Sequence, residues 1–254
     1  MTSLRNLWSA GDTTLGAWLT LPSSVAAEAV AGEGFDYVCI DAQHGAVDYQ
    51  TTVSLLQGIA LGGSNPVVRV PWNEPGIIGR MLDAGAQGVI VPMVNTVADA
   101  EAVVRSCRYA PVGARSYGPT VVGLRHADYV SWATEHVAVI PMIETAEAVR
   151  NIDDILAVPG IDAVYVGPAD LSLTLGLAPR NNDDSPEFTE ALERVVSACR
   201  NRGVVPGAHC VGGVATRRAE QGFRMLTISS DIVAMRQGMV ADLREAREGG
   251  RRVG

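Results

Sequence analysis

Two short runs, Pro141-Met142-Ile143-Glu144-Thr145 and Gly167-Pro168-Ala169-Asp170-Leu171-Ser172, each lead an apolar strand-like stretch into a carboxylate, and the two acids stand 26 positions apart. Strands of parallel α/β barrels carry their chemistry at that end, so the pair could hold one divalent cation. Two more runs end in ionisable groups, Asp41-Ala42-Gln43-His44-Gly45 and Arg69. One His, one Arg and three carboxylates would then converge. A carboxylate pair with one nearby His and no Cys favours a hard cation, Mg²⁺ or Mn²⁺ with Co²⁺ also admitted, over a structural zinc. Two protein ligands leave about four octahedral positions for water and a chelating 2-oxo acid. Such an ion acts as a Lewis acid toward an enolate. Arg69 would add a fixed positive charge beside the keto oxygen. His44, three residues after Asp41, could orient or deprotonate a water or hydroxyl group. The turn after Gly167 could donate backbone N–H groups to a substrate carboxylate.

Each residue also has a plainer reading. Glu144 and Asp170 could cap the helices that follow. Arg69 could be a structural ion-pair partner, His44 a satisfied core residue, and Asp41 the acceptor of an Asx turn, a role compatible with chemistry. His126, His136 and His209 show no metal-triad spacing and are assigned no role. All 20 basic positions are Arg and no Lys occurs, which excludes Schiff-base chemistry on a lysine. An Arg-biased composition accounts for that absence equally well, so it removes a competitor without arguing for a metal.

The elements that must position these groups follow from pattern. Apolar runs at 15–21, 37–41, 67–70, 88–91, 137–143, 163–166, 204–208 and 225–228 alternate with helical periodicity at 26–31, 52–61, 76–82, 97–107, 146–156, 186–202, 213–221 and 231–248. Strict β/α alternation with short links implies right-handed crossovers and a parallel sheet, and eight repeats imply closure. The expectation is one (β/α)₈ TIM barrel over residues 1–254, a usual length for that fold. The stretch 109–135, with Pro111, Gly113, Gly118, Pro119 and Gly123, reads as a long irregular connection whose Arg115, Tyr117 and Arg125 cover a site or a neighbouring subunit, or else as a surface loop. A hydrophobic fraction of 47% supports a large core, and a formal charge of −8 without a basic cluster offers nothing to nucleic acid or anionic lipid. Four cysteines without C-x-x-C spacing, no apolar leader and no membrane-length segment give the expectation of a soluble, cytoplasmic protein with small-molecule partners or further copies of itself.

In order and spacing, several runs resemble the HpcH/HpaI family of metal-dependent pyruvate aldolases, related to the citrate lyase β subunit. They are Gly34-Phe35-Asp36 through Asp41-x-x-His44, Val68-Arg69 with Trp72-Asn73-x-Pro75, and Leu82-Asp83-x-Gly85 with Pro92-Met93-Val94. Ile143-Glu144-Thr145 and Gly160-Ile161-Asp162 through Ser172 complete the set. The resemblance implies a class II aldolase with Mg²⁺ or Mn²⁺ on Glu144 and Asp170, enolate stabilisation by Arg69 and an acid–base dyad of Asp41 and His44. It also implies a homohexamer, a trimer of dimers, in which the last helix is exchanged onto a neighbour and Asp83 reaches an adjacent site. A charge before a helix-ending Gly, as Asp83 is, is otherwise simply solvated. Trp18 matches a residue near the family's substrate pocket, which would also be lined by Arg69, Met142, Gly167, Pro168 and Ala169. Gln43 stands where the family usually has Glu, Met142 where well-known members carry Gln, and His209 and Ser229-Ser230 replace mostly apolar or Gly-containing positions. The activity implied is reversible cleavage of a 4-hydroxy-2-oxo acid to pyruvate, or a related 2-oxo acid, and an aldehyde. Oxaloacetate decarboxylation through the same enolate is a side activity. The alternatives are a citrate-lyase-like acyl-CoA lyase and a barrel that binds a 2-oxo acid without turnover.

Overall fold

The computed structural model describes residues 2–211 and 213–250. Its eight strands are β1 Thr14–Leu19, β2 Tyr37–Asp41, β3 Asn65–Arg69, β4 Gly88–Val91, β5 Ala138–Pro141, β6 Ala163–Val166, β7 Val205–His209 and β8 Met225–Ser230. Every pairing is parallel, in the order β5-β4-β3-β2-β1-β8-β7-β6. Closure comes just beyond β5, where Met142 bridges Tyr165 and Ile143 N–H donates to the Tyr165 carbonyl at 2.9 Å. The TIM barrel expected from the alternation is therefore present.

Side chains alternate across a strand, and the alternation splits the core into two parts. Trp18, Tyr37, Cys39, Val67, Ile90, Ala138, Ile140, Met142, Ala163, Tyr165, Val205 and Met225 fill the barrel, while the intervening residues pack outward against helices. The first helix, α1 Leu4–Ser9, stops the lower end with Leu4 and Trp8. Gly16 makes the interior possible, because a Cβ there would enter the Tyr37 ring. The upper end is left for residues one step further along each inward row.

The helices that follow are α2 Ser24–Ala31, α3 Tyr49–Gly62, α4 Pro75–Ala84, α5 Val97–Cys107, α6 Tyr129–His136, α7 Ala146–Arg150, α8 Ile152–Ile155, α9 Pro168–Thr174, α10 Pro186–Arg202, α11 Ala215–Gln221 and α12 Asp231–Gly250. Three local expectations are corrected. The single helix at 146–156 is two, broken at Asn151, whose side-chain amide donates to the Asn95 carbonyl at 2.8 Å. The irregular stretch 109–135 contains α6, started by Asp128 accepting from Ser131 N–H. Asp170 lies inside a helix, α9, rather than in a turn. Among the described residues no helix is long and apolar enough to cross a membrane.

Candidate active site

At the upper end of the barrel, a cavity of about 320 Å³ is lined by the ends of β1, β2, β3, β5, β6, β7 and β8. It gathers Trp18, Asp41, His44, Arg69, Met142, Glu144, Gly167, Pro168, Ala169 and Asp170, so every expected site residue except Asp83 is brought together in one place.

The β2–β3 side is set by register. Asp41 and Arg69 are Cα partners on neighbouring strands, so their side chains rise on the same face. Arg69 donates to Asp41 through Nε at 2.9 Å and Nη2 at 2.5 Å. Asp41 also accepts from Trp18 Nε1 and from the N–H groups of Gln43 and His44, each at 3.1 Å. Burial pushes the Asp41 carboxyl up, but the Arg69 hydrogen bonds and charge outweigh it and leave the pKa below the ordinary value. Asp41 is thus a held anion that fixes Arg69 and the His44 backbone; its contact with His44 is through the main chain, not the imidazole. The Asx-turn and ion-pair readings both hold, within the site. Arg69 lies 5.0 Å over the Trp18 ring, a cation–π contact.

The β5–β6 side carries the carboxylate pair. Glu144 is 2% exposed. Its Oε1 accepts from Met93 N–H at 2.8 Å, while Oε2 is buried without a hydrogen-bond partner. Met93 has a left-handed backbone, φ 56°, uncommon for a residue with a side chain. That conformation accompanies the N–H it aims at Glu144. Helix α7 is capped by Thr145, so Glu144 is free of capping duty. Burial, opposed by the Met93 hydrogen bond and aided by the charge of Asp170, pushes the Glu144 carboxyl up to about 7. Gly167 lies against Oε2, where a Cβ would collide with it. An orphaned, desolvated carboxylate oxygen beside a second carboxylate calls for a cation, and an all-oxygen donor set fits a hard one. Among the described residues no group of three His, Cys, Asp or Glu forms, so water and substrate would complete the shell.

The remaining side, from β6 round to β1, carries groups that the sequence marked only as departures from the family pattern, His209 and Ser230, or gave no role, Tyr165 and Thr20. His209, Tyr165, Thr20 and Ser230 line the same cavity. Tyr165 stacks on Trp18 at 5.7 Å and His209 meets Trp18 edge-on at 5.2 Å. Burial, with help from the charge of Arg69, lowers the His209 pKa to about 4. His209 ends β7 in the inward row of Val205, so the strand-end rule that points to Asp41 and Arg69 points to it too, whereas metal-triad spacing does not.

Asp83 lies near the end of α4, away from this cavity, and pairs with Arg115 at 2.6 Å. The Arg115 side chain is fully buried between the Tyr109 and Tyr129 rings, at 4.6 and 5.2 Å. Within the chain, Arg115 therefore holds Asp83 and does not cover the cavity; Tyr117 and Arg125 are exposed.

Residues 14–233 match the family model described as HpcH/HpaI aldolase/citrate lyase. The chain is 40% identical over 249 residues to a hydroxypyruvate/pyruvate aldolase of Rhizorhabdus wittichii, covering 96% of this chain and 99% of that one. It is 41% identical over 209 residues to a 4-hydroxy-2-oxo-heptane-1,7-dioate aldolase of Escherichia coli, covering 81% and 79%. The crystal structure of an HpcH/HpaI aldolase from Desulfitobacterium hafniense superposes with a TM-score of 0.89 at 30% identity, covering 98% of each chain.

Proposed function

The chain belongs to the HpcH/HpaI aldolase/citrate lyase family and is an aldolase, and from that premise we propose that it cleaves 4-hydroxy-2-oxo acids reversibly to pyruvate, or a close 2-oxo acid, and an aldehyde. The observation that carries this reading is the unpartnered, buried Oε2 of Glu144 beside Asp170 and within the field of Arg69. Glu144 and Asp170 would hold Mg²⁺ or Mn²⁺, which supplies Lewis-acid stabilisation of charge on the oxo acid's oxygens.

The chain's own groups do the rest. The N–H groups of Ala169 and Asp170, in the first turn of α9 and without intrahelical acceptors, bind the substrate carboxylate. Arg69, fixed by Asp41, faces the keto oxygen, where its charge is preorganised for the enolate. His44 takes the 4-hydroxyl proton through a water as the C3–C4 bond breaks and the aldehyde leaves. A proton returned to C3 of the enolate then gives pyruvate. Asp41, saturated by donors, is a positioning residue in this scheme rather than a base.

The exposed apolar face of α12 supports assembly into a homohexamer with the last helix packed on a neighbour, and Asp83 would then serve an adjacent site. Cytoplasmic location is part of the same proposal. The test is incubation with pyruvate, Mn²⁺ and short aldehydes with and without chelator. Carbon–carbon bond formation that chelator abolishes and Mn²⁺ restores supports the reading. Pyruvate binding with no such chemistry contradicts it and favours a non-catalytic binding barrel.

A further inference from the structure

Inside the barrel, below the cavity, a chain of side-chain hydrogen bonds links four residues of three neighbouring elements and β2. Tyr37 Oη and Thr227 Oγ1 are 2.9 Å apart, Tyr165 Oη donates to Thr227 Oγ1 at 2.5 Å, and His209 Nδ1 lies 3.3 Å from Tyr165 Oη. Tyr37, Tyr165 and Thr227 are buried to within 1%. The direction of the chain decides the state of the imidazole. A tyrosine hydroxyl has one proton, and that of Tyr165 is committed to Thr227, so its oxygen must accept from His209. Nδ1 then carries the hydrogen. In a neutral ring the other nitrogen, Nε2, is bare and can only accept, and it has no partner among the described residues. The depressed basicity of His209 keeps the ring neutral at physiological pH.

Strand order places this acceptor. Glu144 and Asp170 occupy the β5–β6 arc of the mouth and Asp41 and Arg69 the β2–β3 arc, which together hold the oxo acid in the reading above. The remaining arc, β7–β8–β1, is lined by His209, Ser230 and Thr20, with the Thr20 hydroxyl donated to Asp231 at 2.9 Å. Among the described residues it contains no cation, and the guanidinium that lines the cavity, that of Arg69, is tied to Asp41. An aldehyde with a carboxylate tail would meet neutral groups, a lone pair and, behind Thr20, the Asp231 carboxylate, none of which attracts an anion, whereas a hydroxyl can donate to that lone pair. A site built around an acceptor rejects the analogue that lacks the donor, because the acceptor is then left unpaired.

We propose that His209 is a specificity-determining residue whose bare Nε2 accepts a hydrogen bond from the aldehyde's hydroxyl group, making hydroxyaldehydes the preferred partners of the oxo acid. This rests on the aldolase reading. Tyr165 acts as a positioning residue by fixing the tautomer.

Rates with pyruvate, Mn²⁺ and either 2-hydroxypropanal or propanal test the proposal. In the wild type kcat/KM for the hydroxyaldehyde is expected to exceed that for propanal by about 10-fold, the worth of one good hydrogen bond. His209→Phe keeps a flat ring against Trp18 without an acceptor and is expected to bring the ratio near one. Tyr165→Phe is expected to lower it in the same sense. Nitrogen-15 NMR of the wild type, with the His209 signals assigned by their loss in His209→Phe, should show a pyrrole-like Nδ1 and a pyridine-like Nε2 at pH 7, and mixed tautomers in Tyr165→Phe. A wild-type ratio near one, a ratio unchanged by His209→Phe, or the opposite tautomer overturns the proposal. Oxaloacetate decarboxylation, which needs no aldehyde, separates the failures. Its presence with an unaltered ratio removes the role of His209 alone. Its absence together with absent aldol chemistry removes the aldolase reading and this inference with it.

Discussion

In the proposed scheme Glu144 and Arg69 set the chemistry residue by residue, and their surroundings predict different responses. In chelated protein, the Glu144 pKa is raised from an ordinary 4.5 to about 7. The folded state therefore binds a proton in that window that the unfolded chain has released, so this group's contribution to stability is present below 4.5 and lost as pH rises to 7. The expected loss is roughly 3 kcal/mol. Chemical denaturation across the window should show it, and Glu144→Gln should flatten the difference; parallel curves for the two proteins would contradict the burial argument. For Arg69, the bidentate fork to Asp41 is what a lysine cannot reproduce. Arg69→Lys is expected to lower kcat by about 100-fold, on the scale of losing a preorganised donor, with pyruvate binding less affected. Steady-state kinetics check this, and kcat within about 3-fold of the wild type would show that charge alone suffices.

At the scale of elements, the close approach of β5 and β6 is what lets two carboxylates share one place. Gly167 stands at that approach, and Gly167→Ala is expected to weaken Mn²⁺ binding at least about 10-fold while costing about 1–3 kcal/mol of stability by overpacking. Calorimetric titration and thermal denaturation measure the two effects; unchanged Mn²⁺ affinity would show that Oε2 has other room. The barrel was legible because each strand run is short, apolar and followed by helical periodicity. The acids after β5 and β6 were legible because they interrupt those runs. The Asp41–Arg69 pairing was not, since it depends on the register of β2 against β3, which no local pattern states. The break at Asn151 was hidden by an unbroken apolar period, and α6 by the Pro and Gly that precede it. The resemblance supplied the role of Asp83, and the chain on its own shows only its pairing with Arg115.

For the whole molecule, α12 leaves Ile232, Val233, Met235, Met239, Val240 and Leu243 exposed, with Met239 at 64% and Leu243 at 50%. Apolar side chains clustered on one helix mark a surface that a further copy would cover. Met239→Glu combined with Leu243→Glu is expected to lower the assembly mass seen by light scattering, and an unchanged mass would remove the last helix from the interface. The proposed chemistry requires one divalent cation per chain, held by Glu144 and Asp170 where the oxo acid would bind. Electron paramagnetic resonance of Mn²⁺ titrated into the wild type and into Asp170→Ala, with and without pyruvate, tests this most directly. The prediction is one tight Mn²⁺ per chain whose spectrum changes on pyruvate binding, with both features lost in Asp170→Ala while the barrel remains folded by circular dichroism. Equal Mn²⁺ affinity in the folded variant, or a wild-type spectrum indifferent to pyruvate, would contradict it.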